Sequence, residues 1–291
     1  MSLKSKLRGI YLKLYFYFNN KILFKDRYGL TYYLYKNTRP NNTFNLGVRS
    51  DDTTVLYTID KILSTSTLMN NSLIHCIDVG GYIGVVTLRM SKSLQNVKKK
   101  WKIHTFEPFE ESFSRLQENI NLDPFKSNIV LNNVAVSNTA GMSALKIYKN
   151  APGENHLDSN ILQNNENDIS NNSVKVITLK DYIYENNIKH ISICKIDAEG
   201  SDYFVIKGLH KYLEEKIVDY FIFEYQIETY EKIKNILSAN GYIFYYMVRN
   251  ENILVNSLEN YPKNSKSLLN LIAVSPNRRN NFRKDFNLSD W

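Results

Sequence analysis

Asp78, Glu107 and Asp197 each close an apolar run, and each stands just before residues that bend the chain. The first run reads LIHCIDVGGYIG over residues 73–84. Hydrophobic residues lead to the acid, then to Gly80, Gly81 and Gly84, and a stretch of helical character, VVTLRMSKSL, follows. An open α/β sheet builds its ligand crevice from this succession of strand, acid, glycine turn and helix. Glycine has no Cβ, so it permits a sharp turn and a close approach of backbone to ligand. No GK[ST] follows, which excludes a phosphate-binding P-loop, and the spacing differs from the G-x-G-x-x-G of dinucleotide sites. An acid ahead of the turn suits a ligand with a cationic or hydroxyl-bearing end better than a pyrophosphate. The second run, WKIHTF, ends in Glu107-Pro108, 29 residues past Asp78. A carboxylate at that strand end sits where such crevices recognise ribose, and it can accept from both hydroxyls of the diol. S-adenosylmethionine joins a ribose to a cationic sulfonium and fits both acids. The plainer alternative is a structural turn followed by a surface acid that caps a helix starting near Glu110.

A third strand end lies in ISICKIDAEGSDYF, with Asp197, Glu199 and Gly200. Its strand is expected beside the first, where chain order reverses and crevice ligands bind. If the ligand is S-adenosylmethionine, Asp197 is then the residue nearest its sulfonium methyl, orienting either the ligand's amino group or the acceptor. Glu199 is a candidate general base, or a group that fixes the loop. Lys195 interrupts an apolar strand and should pair with a carboxylate, because an unpaired buried ammonium is costly. Acids capping a helix N-terminus are the structural alternative here. Glu224 ends a further run, FIFEY. Carboxylates at neighbouring strand ends raise one another's pKa by repulsion, or hold a hard divalent cation.

The ordered segments DVGGYIG, FEPFEESFSRLQENINL, NNVAVSNTAG, VITLKDYI, KIDAEGSDYFVIKG and FIFEY make this chain resemble the FkbM-type S-adenosylmethionine-dependent methyltransferases, from about residue 50 to about residue 275. The resemblance implies the class I α/β architecture: a Rossmann-like, seven-stranded, mostly parallel sheet with helices on both faces and an antiparallel last strand. It implies methyl transfer, mostly to hydroxyls of sugars and other natural products, with no metal. The cofactor set it implies is Asp78, Gly80, Gly81, Tyr82, Gly84, Glu107, Asn133, Val134 and Asp197, with Asn133 at the adenine edge and Val134 on its face. It puts His156, in the loop PGENHLDSN, on the acceptor side. There His156 joins Asp197 and Glu199 as a candidate catalytic group, since imidazole titrates near neutrality. Asn155, Asp158, Ser159 and Asn160 form a hydrogen-bonding set suited to a sugar. The chain departs from the family at Gly81-Tyr82, where Ala-Asn is usual, at Glu110 for Pro, and at Asp202 for Glu. Other readings stay open: methylation of an amine on a glycan or nucleic acid, or a scaffold in which Tyr82 closes the cofactor turn. The Asn/Asp-Pro-Pro-aromatic tetrad of nucleic-acid amino-methyltransferases is missing from the Asp197 strand end.

Placing these residues takes an alternation of strands and helices. Strands are expected near residues 73–79, 101–106, 129–132, 191–196, 218–224, 242–248 and 269–274. Helices are expected near 85–93, 110–121, 209–215 and 230–240. That alternation means parallel crossovers. Ser50 or Asp51 can cap a helix running to about Ser64, and a strand pair is expected around DRYGLTYYLY. Val134–Tyr148 reads as a hairpin turning at Asn138–Gly141, and Asn150–Ser173 as a long loop.

At 291 residues the chain can bury one sizeable core. The expected organisation is a basic lead-in over 1–70, a methyltransferase domain over 71–275 and a basic tail over 276–291. A 43% hydrophobic and 23% charged composition is that of an ordinary globular protein. No apolar run approaches the ~20 residues that span a bilayer. Lys13 breaks the first apolar stretch and no small-residue cleavage site follows, so a cytoplasmic location is expected, with attachment to the inner face of a membrane as the variant. Cys76 and Cys194 are expected as free buried thiols.

Charge is concentrated at the ends. Residues 1–27 carry Lys4, Lys6, Arg8, Lys13, Lys21, Lys25 and Arg27 against Asp26 alone, and the segment between the two basic ends is balanced. A neutral domain argues against a built-in nucleic-acid groove. Leu7, Ile10, Tyr11 and Leu14 recur at helical spacing among Lys4, Arg8 and Lys13. This pattern suits an anionic membrane surface or a partner such as a glycosyltransferase, with packing on the chain's own domain as the preferred reading.

Overall fold

The computed structural model describes residues 15–26, 28–36, 52–64, 73–146, 156–157, 173–248, 253–255 and 268–288. In chain order these hold β1 (Lys21–Lys25), β2 (Thr31–Tyr35), α1 (Asp52–Leu63), β3 (Leu73–Val79), α2 (Val85–Leu94), β4 (Lys100–Phe106), α3 (Glu110–Ile120) and β5 (Ile129–Asn132). There follow β6 (Ala135–Ser137), β7 (Gly141–Lys146), β8 (His156–Leu157), β9 (Ser173–Thr178), α4 (Leu179–Glu185), β10 (Ile191–Ile196), α5 (Asp202–Lys207) and α6 (His210–Glu214). The last elements are β11 (Val218–Glu224), α7 (Ile227–Ala239), β12 (Ile243–Val248), β13 (Ile253–Val255), β14 (Leu268–Val274) and α8 (Arg279–Phe286).

The principal sheet has the order β13-β12-β14-β11-β10-β3-β4-β5. The five strands from β11 to β5 are mutually parallel. β14 inserts antiparallel between β11 and β12, and the short edge strand β13 makes the sheet eight-stranded where seven were expected. The central strands β3, β10 and β11 are apolar at most positions because both their faces are covered. β10 is buried at every residue.

One face packs against the β1–β2 hairpin, α1, α2, α3 and α8, through residues such as Tyr32, Ile59, Leu88, Leu116 and Phe282. The other packs against α4, α5, α6 and α7, through Ile183, Val205, Leu213 and Ile233. The described parts of the lead-in and of the tail therefore share the domain's core. Phe282 in the tail is 1% exposed, and burying such a side chain contributes about 2 kcal/mol.

The hairpin expected over Val134–Tyr148 does not form. β6 and β7 belong to a second sheet of order β6-β9-β7-β8, and β9 lies between them, with Val176 opposite both Ala135 and Gly141. β9 supplies a six-residue strand with buried Val176 and Thr178, and it pairs with β6 along one edge and with β7 along the other.

Candidate functional site

β3 and β10 are neighbours at the point where chain order reverses, with Lys195 opposite Asp78 and Ile196 opposite Val79. Beyond the last pair, the Asp197 N–H donates to the Val79 carbonyl at 3.0 Å. Gly80 then turns with φ +79°, and a Cβ built on it would lie 1.9 Å from the Asp197 carbonyl oxygen. The Gly80 and Gly81 amides both donate to the Phe106 carbonyl, at 2.9 and 3.0 Å. The glycine turn is thus clamped between the ends of β10 and β4, at the crevice of an open α/β sheet.

Glu107 follows β4 and is 7% exposed. One carboxylate oxygen accepts from the Tyr82 amide at 2.8 Å and the other from the Phe109 amide at 3.0 Å. Burial pushes its pKa up to about 7, against the two amide hydrogen bonds, which pull it down. Each oxygen keeps a second lone pair beyond its amide bond, so the group can still accept two hydroxyls. Tyr82 adopts a left-handed φ of 48°, which presents its amide to Glu107. Its side chain packs against the core on the α2–α3 side, and its hydroxyl oxygen is buried.

Asp78 and Asp197 differ in a way their sequence contexts hide. Asp78 is fully buried. Its Oδ2 accepts from the Thr87 hydroxyl at 2.6 Å, and Thr87 is tied to Thr105 at 2.9 Å. Its Oδ1 has no hydrogen-bond partner, with Lys195 Nζ at 3.9 Å. Burial raises the Asp78 pKa, and Lys195 opposes the rise. Lys195 reaches on to Asp197 Oδ2 at 2.9 Å, and that aspartate side chain is 34% exposed. Asp78 is thus sealed beneath the turn, while Asp197 meets solvent at its lip. Glu199 and Gly200 both take left-handed backbone, φ 44° and 96°. For glutamate such a conformation stores strain of the kind that gathers at functional loops.

The Methyltransferase FkbM domain model matches residues 78–244, more than half of the chain. This protein belongs to the FkbM methyltransferase family. The match begins at Asp78 and takes in Glu107, Asp197 and Glu224. Methyltransferase 1 of Beauveria bassiana (strain ARSEF 2860) is 27% identical over 165 residues, covering 52% of this chain and 64% of that relative. The crystal structure of methyltransferase FkbM from Methylobacillus flagellatus KT aligns with a TM-score of 0.48 at 14% identity, over 74% of this chain and 47% of that one. The human methyltransferase 10 domain containing protein aligns with a TM-score of 0.47 at 11% identity, over 94% of this chain and 99% of that one. The FkbM-family chain spans less than two thirds of the first two of these relatives.

The remaining expected residues of the FkbM-family site fall in three places. Asn133 follows β5, its side-chain amide donating to Glu110 at 3.0 Å, and Val134 packs against the core on the α4–α7 side. Glu224 ends β11 and accepts from Gln226 at 3.0 Å. His156 is backbone-paired with Lys146 in β8, at the edge of the second sheet farthest from β6. Asn155, Asp158, Ser159 and Asn160 lie outside the described residues.

The structure gives roles to residues that the sequence reading named only as a family departure, as with Asp202, or did not name. Asp202 opens α5 and is 1% exposed. Its Oδ1 accepts from the Ala198 amide at 2.8 Å, holding the loop after Asp197, and its Oδ2 has no hydrogen-bond partner. Burial first, then the charge of Asp197, raises its pKa to about 7. Desolvation thus outweighs the carboxylate repulsion that strand-end acids suggested. Asn132 donates to the Thr105 carbonyl at 3.1 Å beneath Glu107. His75, His104 and Tyr182 form a buried chain, 3.0 Å from His75 Nδ1 to His104 Nε2 and 2.8 Å from His104 Nδ1 to the phenol oxygen. The signal for Asp202 was its place in the first turn of a helix after an acid-glycine strand end. Nothing in the spacing of His75, His104 and Tyr182 marks them as partners.

Proposed function

We propose that this protein transfers a methyl group from S-adenosylmethionine to a sugar hydroxyl on a glycan, glycolipid or related natural product. Family membership supports the reaction class. The observation that carries the cofactor reading is Glu107, a buried strand-end carboxylate held by two backbone amides, whose remaining lone pairs match a ribose diol. The donor set fits the group in other respects. Gly80 and Gly81 keep the turn free of side chains, Val134 offers an apolar contact to an adenine ring, and Asn133 a polar edge. Asp78, sealed from solvent, acts through Thr87 and Lys195 rather than by touching the ligand.

The sulfonium supplies an electrophilic methyl carbon, so the protein's work is alignment and exclusion of water. Asp197, paired with Lys195 at 2.9 Å, orients the acceptor hydroxyl at the lip of the crevice. As the new oxygen–carbon bond forms, the methyl carbon's bond to sulfur breaks with its electron pair left on the sulfur, and the hydroxyl proton passes to Glu199 on its left-handed turn. His156 is the further candidate on the acceptor side.

Calorimetric titration of S-adenosylhomocysteine into the wild type and Glu107→Ala tests the reading. Micromolar binding by the wild type, lost in a folded Glu107→Ala protein, is the expected result. A folded wild type that takes up no S-adenosylhomocysteine would overturn it.

A further inference from the structure

Tyr182 of α4 has no place among the ligand contacts of the crevice, yet it touches both chain segments that frame Glu107. Thr178 caps α4, its hydroxyl accepting from the Asp181 amide at 3.1 Å, and Leu179, Tyr182 and Ile183 are thereby buried. The Tyr182 ring meets Phe106 edge to face at 4.8 Å. Phe106 is the residue whose carbonyl clamps Gly80 and Gly81, and Glu107 follows it directly. Beyond Glu107, the end of β5 supplies the second anchor, for the Asn132 carbonyl accepts from the Glu107 amide at 3.0 Å. The Asn132 side chain ties this strand end back to β4 by donating to the Thr105 carbonyl at 3.1 Å. Over a longer 3.5 Å it donates to the Tyr182 hydroxyl.

The polar chain behind Tyr182 runs in one direction. A side-chain amide nitrogen only donates, so the Tyr182 oxygen is the acceptor toward Asn132. Its own proton is buried and costly to leave without an acceptor, and His104 Nδ1 lies 2.8 Å away. His104 is therefore the Nε2–H tautomer, and it donates in turn to His75 Nδ1 at 3.0 Å. Burial lowers both imidazoles to about 4, so both are neutral at neutral pH and this order of donors holds.

We propose that Tyr182 is a positioning residue for the carboxylate that holds the ribose: its hydroxyl, aimed by His104 and His75, steadies Asn132 and through it Glu107. A binding group keeps its productive geometry when its supports are themselves locked by packing and hydrogen bonds. Tyr182 has both, the Phe106 contact on its ring and the histidine pair on its hydroxyl. The inference rests on the cofactor reading of Glu107.

The test compares the wild type with Tyr182→Phe, which keeps the ring on Phe106 and removes the hydroxyl alone. In the ligand-free wild type, nitrogen NMR of the imidazoles should show His104 and His75 as Nε2–H tautomers. The Glu107 amide resonance should move in Tyr182→Phe. By calorimetry, the Kd for S-adenosylhomocysteine should rise about threefold in Tyr182→Phe and about tenfold in Asn132→Ala, with no further rise when the two are combined. Ile183→Val, which loses packing in the same helix without touching the polar chain, should leave the Kd unchanged. An Nδ1–H tautomer at His104, an unmoved Glu107 amide, or wild-type affinity in Tyr182→Phe would each overturn the inference and leave the ribose role of Glu107 standing. An affinity loss in Tyr182→Phe that Ile183→Val matches would overturn it too. A wild type that takes up no S-adenosylhomocysteine would overturn the cofactor reading, and the two ligand-free spectra would then decide by themselves whether Tyr182 positions Glu107.

Discussion

At Gly80 the close approach of two strand ends leaves no room for a Cβ, since that atom would sit 1.9 Å from the Asp197 carbonyl oxygen. The obstacle is backbone held by the Asp197-to-Val79 hydrogen bond, so it cannot rotate aside as a side chain would. The φ of +79° adds conformational strain. Gly200 has a comparable φ of +96°, but nothing lies within 4 Å of its Cβ position. Gly80→Ala should therefore lose about 3 kcal/mol through overpacking and strain together, and Gly200→Ala about 1 kcal/mol through strain alone. Urea unfolding of the two variants checks this, and equal losses would mean that the β10 end yields. The acids around this turn were legible because each closes an apolar run. Their division of labour was not. Asp78 and Glu107 occupy similar positions in the sequence, yet Asp78 is shut in by Thr87 and Lys195 while Glu107 is held by main-chain amides that leave lone pairs over. That distinction comes from residues 2 to 117 positions away along the chain and from strand register.

Register between β3 and β10 sets Lys195 directly opposite Asp78, and from there its ammonium spans to Asp197. One cation thereby serves two carboxylates at adjoining strand ends, one sealed and one open. Removing it leaves Asp78 as an uncompensated buried charge. Lys195→Met keeps the stem volume and should cost about 3–5 kcal/mol at neutral pH. Burial already raises the Asp78 pKa, and loss of the ammonium raises it further, so the variant's folded state holds a proton more firmly than the unfolded chain does. The deficit should shrink as pH falls and Asp78 is neutralised, which unfolding midpoints at about pH 8 and about pH 5 would reveal. A deficit independent of pH would assign the loss to packing. Elements of ordinary length were legible from their apolar periodicity, but α4 and α5, of seven and six residues, offer under two turns of pattern. The β6–β7 pairing misled because a glycine-bearing turn between two strands says nothing of a third strand, starting 27 residues past the end of β7, that enters between them.

Across the whole molecule, the doubly wound sheet was legible because its central strands are apolar on both faces, whereas the share of the core taken by hairpin β1–β2 and by α8 was hidden in segments that read as basic extensions. The same burial that builds this core sets two families of titrating groups against each other. Desolvation lowers His75 and His104 to about 4, below the ordinary ~6.5. The unfolded chain therefore takes up protons first, and the stability these rings contribute is full above about pH 6.5 and lost as pH falls toward 4. Desolvation raises Glu107 and Asp202 to about 7. Their folded forms hold protons that the unfolded chain releases, so their contribution is full below about pH 4 and lost as pH rises toward 7. Between about pH 4.5 and 6.5 the two families act in opposite directions, and Asp78, likewise raised by burial, adds to the carboxyl side. Asp202→Asn removes one carboxyl from this balance while its side-chain oxygen can still accept from the Ala198 amide. Relative to the wild type, the variant should therefore lose stability on acidification through that window. Urea midpoints measured at half-unit steps of pH would show the divergence. Parallel profiles for wild type and Asp202→Asn would mean that Asp202 is ionised in the folded protein, with its buried Oδ2 satisfied as an anion.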